Sequence, residues 1–198
     1  MFVKQLRVGY MDVFAYVVGC PATKEAAVID PGGDVERIVE EAAREGYTIK
    51  YILNTHNHSD HTAGNDRLKK LTGAKIVMHA LDAKNRDVDV SLDKETVFRV
   101  GEIELRVIHT PGHTRGGICF YADGNLFTGD TLFVGDSGRT DLPGGDRRAL
   151  GSSIRKLMEL PEDTIVWPGH DYGPTPHSTL KWEKHNNVNA REYGYSEG

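Results

Sequence analysis

The sequence predicts an α/β protein built as a four-layer sandwich, two β-sheets packed face to face with helices outside each. Three observations predict it. Each half of the chain reads as strands followed by helices. The strands are short apolar runs divided by Gly, Pro and Asp turns. Four of them end in a turn that presents histidine or aspartate, which would gather reactive side chains at one edge of the sheets.

In chain order, residues 14–19 (FAYVVG) and 26–30 (AAVID) read as strands joined by the turn around Cys20, Pro21, Ala22 and Thr23. Residues 31–47 read as a helix, with Asp34 as N-cap and Val35, Ile38, Val39, Ala42 and Ala43 at helical spacing. Gly46 sits where a helix-terminating glycine belongs. Residues 48–54 (TIKYILN) return as a strand, 65–73 form a short helix, and 74–79 (AKIVMH) form another strand. Ala80 to Glu95 is polar with little periodicity and reads as a surface excursion. Then follow strands at 96–101, 103–110, 117–123 and 125–130, with turns at Gly101, Pro111-Gly112 and Asp123-Gly124. Residues 147–160 form a helix with Leu150, Ile154, Leu157 and Met158 on one stripe, 164–170 (TIVWPGH) a last strand, and 177–190 a C-terminal helix.

Composition bounds the function. The chain has 198 residues, enough for one domain with a sizeable core. A net charge of -5 gives no footprint for nucleic acid. No apolar run has membrane-spanning length, and the first twenty residues lack the zones of a cleaved signal, so a cytoplasmic location is expected. Cys20 and Cys119 form no CxxC and are expected as buried, reduced thiols.

The histidines carry the chemistry. Residues 52–65 read ILNTHNHSDHTAGN, so a buried strand runs straight into His56, His58, Asp60 and His61. His113 follows the next half's strand in HTPGHT, Asp130 ends LFTGD, and His170 ends VWPGH. Crowding such groups at the end of a buried strand is costly without a cation. Imidazole nitrogen and carboxylate oxygen suit zinc and related ions. Five histidines and two aspartates exceed what one tetrahedral ion can use and suit two ions bridged by Asp130. His79, His109, His177 and His185 stand alone in their segments and are read as packed or surface residues.

THNHSDH, TPGHT, TGDTLF and PGHDY, in this order, resemble the metallo-β-lactamase superfamily, across nearly the whole chain. The resemblance implies an αβ/βα sandwich. It implies one metal on His56, His58 and His113, a second on Asp60, His61 and His170, and Asp130 between them. Asp60 is usually missing from true β-lactamases of the superfamily, and its presence turns the resemblance toward glyoxalase II, the hydroxyacylglutathione thioesterase. GDTLFVGDSGR and PGHDY are similar to glyoxalase stretches that contact the thiol carrier, which implies substrate contacts for Arg139 and Tyr172. The expected activity is cleavage of a small-thiol thioester by water activated on two divalent ions, zinc first, with iron or manganese compatible. Asp60 would orient that water while holding the second ion. The expected partner is a small-molecule thiol conjugate, not nucleic acid or membrane.

The sequence also departs from glyoxalase II. The stretch after His170 is short, so a single domain over 1–198 is expected, with a helical tail from about 177 and no separate glutathione-binding domain. Asp141 stands where an aromatic is expected. GRTDLPGGD and the ending HDYGPTPHSTLKWEKHNN also resemble the persulfide dioxygenases, in which one iron would sit on His56, His113 and Asp130. A third reading, a non-catalytic metal-binding module, is disfavoured because all seven ligand positions are filled.

Overall fold

The computed structural model describes residues 1–195. Its first sheet follows chain order: β1 (Phe2–Val8), β2 (Val13–Gly19), β3 (Glu25–Ile29), β4 (Thr48–Leu53), β5 (Lys75–His79) and β6 (Val90–Leu92). β1 to β3 pair antiparallel and β3 to β6 pair parallel. Parallel neighbours need crossovers. These contain α1 (Val35–Arg44), then α2 (Ser59–Thr62) with α3 (Asn65–Thr72), then α4 (Ala80–Ala83).

The second sheet comprises β7 (Thr96–Val100), β8 (Ile103–His109), β9 (Ile118–Ala122), β10 (Asn125–Gly129), β11 (Ile165–Pro168) and β12 (Ser178–Thr179), again in sequence order across the sheet. α5 (Arg147–Leu157) crosses from β10 to its parallel neighbour β11, and α6 (Leu180–Asn186) follows β12.

β2 shows why four layers form. Every residue of it is buried. Successive side chains of a strand point to opposite faces. Phe14, Tyr16 and Val18 therefore face the second sheet, in one core with Leu105, Val107, Phe120 and Phe127. Val13, Ala15 and Val17 face the helices, in a second core with Ile38, Ala42 and Leu68. Strands covered on both sides read as unbroken apolar runs, which is how residues 14–19 read. A third core places Ile108, Leu126 and Val166 beneath Leu150, Ile154 and Leu157 of α5. Truncating one such leucine to alanine costs about 2–5 kcal/mol.

The structure adds to and corrects the elements expected from sequence. β1 is an addition: Lys4, Gln5 and Arg7 break up its apolar signal, and only Leu6 and Val8 are buried. The excursion from Ala80 to Glu95 contains α4 and the edge strand β6, and it buries Asp82, Ala83 and Leu92. Asp34 is no N-cap. It sits in the left-handed region at φ 48° and makes no side-chain cap; its carboxylate accepts the Gly9 N–H at 3.1 Å. The tail from about 177 begins as β12, which completes the second sheet, and only then turns helical. Cys20 and Cys119 are free and buried, as expected. No helix among the described residues is long and apolar enough to cross a membrane.

Candidate metal centre

Strand ends build the site. Ile52 and Leu53 of β4 are fully buried, and the chain leaves the sheet through Asn54, Thr55 and His56. Asn54 exchanges amide hydrogen bonds with Asn65 at the start of α3, fixing the length of the intervening loop. Within that loop α2, a single turn, projects Asp60 and His61. β8, β10 and β11 end likewise before His113, Asp130 and His170. β2 pins the last of these: Tyr16 Oη donates to Pro168 O at 2.5 Å, and Phe14 N donates to Gly169 O at 2.8 Å.

All seven side chains expected as ligands come together. His56, His58 and His113 form one group of mutually close donor atoms, and Asp60, His61 and His170 form a second. Asp130 lies between them. Its carboxylate is 4.0 Å from His56 Nε2, 3.5 Å from His113 Nε2, 3.2 Å from His61 Nε2 and 3.3 Å from His170 Nε2. Asp60 Oδ2 is 3.6 Å from His61 Nε2 and 3.4 Å from His170 Nε2. Donors on one tetrahedral ion, with bonds of about 2.1 Å, stand roughly 3.4 Å apart.

Hydrogen bonds behind the rings fix their tautomers. His113 Nδ1 meets Arg139 O at 2.7 Å and His170 Nδ1 meets Met11 O at 2.7 Å. A carbonyl only accepts, so each Nδ1 carries the proton and each Nε2 offers a lone pair. His61 Nδ1 donates to Asp30 Oδ2 at 3.1 Å. Thr55 Oγ1 donates to the same oxygen at 2.6 Å, so Thr55 accepts from His56 Nδ1, 3.0 Å away. His58 differs, turning Nδ1 toward His113 Nε2 at 2.9 Å.

These lone pairs converge without donors to meet them. His61 Nε2 and His170 Nε2 face each other at 3.1 Å, and buried His56 Nε2 and Asp130 Oδ1 have no hydrogen-bond partner. Orphaned buried acceptors are costly, and a cation satisfies them together. Burial and neighbouring His61 push the His56 pKa well down, which keeps that ring neutral. Burial opposes charge on Asp130, but His61 and His170 hold it well below the usual carboxylate range. Burial likewise opposes protonation of His61, and Asp130 and Asp30 outweigh it, raising that pKa. The carboxylates of Asp130 and Asp30 thus call for positive charge in the middle, which a proton on His61 meets in part; a divalent metal supplies it in full, and the donor set fits such an ion.

Two residues essential to this geometry carry no motif of their own. Asp30 closes a third group with His56 and His61, but its oxygens are taken by Thr55 and His61 Nδ1, so it backs the two rings rather than facing the centre of the cluster. Its signal was its place: an aspartate ending a buried strand. Asp82 is the second. Oδ2 accepts from Asn57 N at 3.1 Å and Thr114 Oγ1 at 2.7 Å, and Oδ1 accepts from Gly116 N at 2.7 Å. It ties the loop of His56 and His58 to the loop of His113. Close backbone approach does the rest: a Cβ on Gly169 would lie 2.3 Å from Asp130 Oδ1, so only glycine fits there.

A cavity of about 450 Å³ opens beside Asp60, Asp130 and His170. Arg139 and Tyr172, expected as substrate contacts, both line it. Tyr172 is half exposed and stacks on His170, with ring centroids 4.4 Å apart. Burial and Asp130 raise its pKa, so the phenol keeps its proton. The Arg139 guanidinium is engaged by both oxygens of Asp141, at 2.6 and 2.7 Å.

Two face-to-face sheets, outer helices and a His/Asp centre at the sheet edge define a metal-centred αβ/βα sandwich. The chain belongs to the metallo-beta-lactamase superfamily, whose sequence profile matches residues 8–170. It is 43% identical over 164 residues to a hydroxyacylglutathione hydrolase of Rhodospirillum rubrum, covering 81% of this chain and 63% of that one. The chain thus spans less than two thirds of that relative's length. The crystal structure of ETHE1 from Myxococcus xanthus superposes with a TM-score of 0.90 at 32% identity, covering 98% of this chain and 88% of that chain. TTHA1623, solved in a di-iron-bound form, gives a TM-score of 0.82 at 30% identity, over 95% of this chain and 99% of that chain.

Proposed function

We propose that the protein is a thioesterase-type metallohydrolase of the glyoxalase II kind, acting on a thioester of a small thiol. The observation that carries this reading is Asp60. Its carboxylate joins His61 and His170 in a complete second donor group 3.2–3.3 Å from Asp130, which offers a place for a second ion beside the first. The similarity to hydroxyacylglutathione hydrolases supports the same chemistry. Two divalent ions, zinc first and iron or manganese compatible, supply Lewis acidity: they lower the pKa of water and polarise a carbonyl.

The chain's own groups do the rest. His56, His58 and His113 would hold one ion and Asp60, His61 and His170 the other, with Asp130 between the two groups. Met11 O, Arg139 O, Asp30 and Thr55 keep the Nε2 lone pairs aimed inward. Asp60 is less buried than Asp130, and it orients the attacking water by accepting its hydrogen bond. The water oxygen bonds to the thioester carbon, the C–S bond breaks, and acid and thiol leave. Arg139 and Tyr172 border the space for the carrier, and the Tyr172 phenol, protonated at neutral pH, donates a hydrogen bond to it.

A second reading is oxygenation of a thiol persulfide at one iron held by His56, His113 and Asp130; the ETHE1 neighbour favours it. Metal analysis of freshly purified protein, with thioester cleavage and persulfide-dependent oxygen uptake assayed side by side, separates the two. Two ions per chain with thioester cleavage is the expected result. One iron per chain with persulfide-dependent oxygen uptake and no thioester cleavage sinks it.

A further inference from the structure

The cavity beside the metal centre has two unlike walls. One is the centre itself, and the other is mainly apolar, with Met11, Phe133, Leu142 and Tyr172. Among the described residues lining the cavity, Arg139 is the single permanent cation. Its charge is already matched. Nε and Nη2 donate to the two oxygens of Asp141, a planar fork filled by a planar carboxylate. The partners are two residues apart on one loop, so the pair forms with little loss of chain entropy. Bonding to Arg139 brings the Asp141 pKa down to about 2, so the carboxylate stays charged at any working pH. Next to Met11 and His170 the pattern repeats: Arg7 lies 3.3 Å from both Asp12 and Asp171.

A carrier with carboxylates or phosphates needs free donors where it lies. Here its anionic groups would have to displace Asp141 or sit beside it at a like-charge cost, while the apolar wall offers contact to methylene and thioether groups. We propose that Asp141 is a specificity-determining residue: by occupying Arg139 it makes the carrier side of the cavity charge-neutral and selects thioesters of small, uncharged thiols over those of carriers that bear carboxylates or phosphates. This rests on the thioesterase reading of the site.

The test compares two esters of one acyl group on the metal-replete enzyme: S-lactoylglutathione, whose carrier has two carboxylates and one ammonium and is a net anion, and the lactoyl thioester of N-acetylcysteamine, whose carrier has no charge. The wild type is expected to show the higher kcat/KM on the uncharged ester. Asp141→Asn should shift the ratio of the two kcat/KM values toward the glutathione ester by about two- to fivefold, the size of one exposed charge interaction. The shift should fade as salt is raised, because the screening length falls from about 10 Å at 0.1 M to about 3 Å at 1 M. Arg139→Met should move the ratio the opposite way, by leaving Asp141 unmatched. A wild type that prefers the glutathione ester overturns the proposal. So does a ratio that Asp141→Asn leaves unchanged, or equal losses on both esters with a lowered Tm, which would assign Asp141 to loop structure alone. Cleavage of neither ester overturns the thioesterase reading and the proposal together, an outcome distinct from cleavage of both at a fixed ratio.

Discussion

Asp30 stands behind His61. Its Oδ2 accepts the His61 Nδ1–H hydrogen bond at 3.1 Å, while the same carboxylate accepts the Thr55 N–H at 2.8 Å and the Thr55 hydroxyl at 2.6 Å. Through Thr55 it also reaches His56 Nδ1. One buried carboxylate at the end of β3 thus orients a ring from each donor group. The two groups are mechanically linked beneath Asp130 as well as through it.

Asp30→Asn tests that link. The amide is nearly isosteric, but it brings N–H groups where Thr55 and His61 need acceptors. Metal affinity is expected to fall about 10- to 100-fold, the usual cost of disturbing a group that orients a ligand. Chelator competition measures it, with circular dichroism checking the fold. Unchanged affinity at both ions would show that His61 and His56 hold their orientation without Asp30.

Asp82 carries a similar burden between loops. Asp82→Ala leaves the N–H groups of Asn57 and Gly116 and the Thr114 hydroxyl without their acceptor. Each orphaned buried donor costs about 1–3 kcal/mol, and solvent entry recovers part of that, so a net loss of about 2–4 kcal/mol is expected. Urea denaturation of the metal-free protein reads this term. The metal-replete proteins should differ further, because His58 and His113 lose their spacing. A variant as stable as wild type without metal would assign Asp82 no bridging role.

The contrast between Asp30, Asp82 and the seven candidate ligands shows what a sequence exposes. The candidate ligands are dense or sit in Pro-Gly and Thr-Gly contexts at strand ends, so chemistry and position coincide. Asp30 ends a strand the sequence does reveal, but an aspartate there is also an ordinary turn residue. Asp82 falls in a polar stretch without periodicity, and its burial depends on contacts with residues 57, 114 and 116, far along the chain. The layered fold was legible because a buried strand such as β2 is an unbroken apolar run and β4 ends in one at Tyr51, Ile52 and Leu53. β1 was not, because an edge strand has one half-covered face and its lysine, glutamine and arginine read as surface. The ion pairing of Arg139 and Asp141 lay between: adjacency made it conceivable, and only geometry filled the guanidinium fork.

Glu183 offers a test through pH. It is fully buried in α6 and accepts from Gly135 N, Ser178 Oγ and Asn187 Nδ2, so it anchors the segment that carries Phe133 and Ser137 into the cavity wall. Burial raises its pKa, against the lowering effect of those three donors. The folded state therefore holds this proton more tightly than the unfolded chain. Its contribution is fully present below the unfolded carboxyl pKa of about 4.3 and is lost as pH rises through the folded value. Glu183→Gln keeps a bonding scheme, since the amide oxygen accepts from Gly135 and Asn187 while the amide nitrogen donates to a rotated Ser178 hydroxyl. Its stability relative to wild type should rise as pH increases from about 4 toward neutrality. Denaturant melts of both proteins at several pH values give the slope, and a difference constant with pH would show that burial does not raise this pKa.

His170 separates the two enzyme readings. With two ions, His170 completes the group formed with Asp60 and His61, and its Nε2 stands 3.3 Å from Asp130 and 3.4 Å from Asp60. His170→Ala should then remove one ion per chain and lower kcat for thioester cleavage by several orders of magnitude, roughly the 10³-fold or more expected when a two-ion site loses half its charge. With one iron on His56, His113 and Asp130, His170 touches the metal only through Asp130. The variant should then keep one iron, with a decline nearer 10- to 100-fold, about what a supporting residue costs. His58→Ala gives the companion measurement. Under the two-ion arrangement it depletes the other ion, because His58 Nδ1 meets His113 Nε2 at 2.9 Å within that donor group. Ion counts and both activities, measured on each variant after anaerobic iron loading and after zinc loading, decide between the patterns. The expected pattern is two ions in wild type, one in each variant, and thioester cleavage lost in both. A variant that keeps one iron per chain and retains persulfide-dependent oxygen uptake within about 100-fold of wild type assigns the protein to the single-iron chemistry instead.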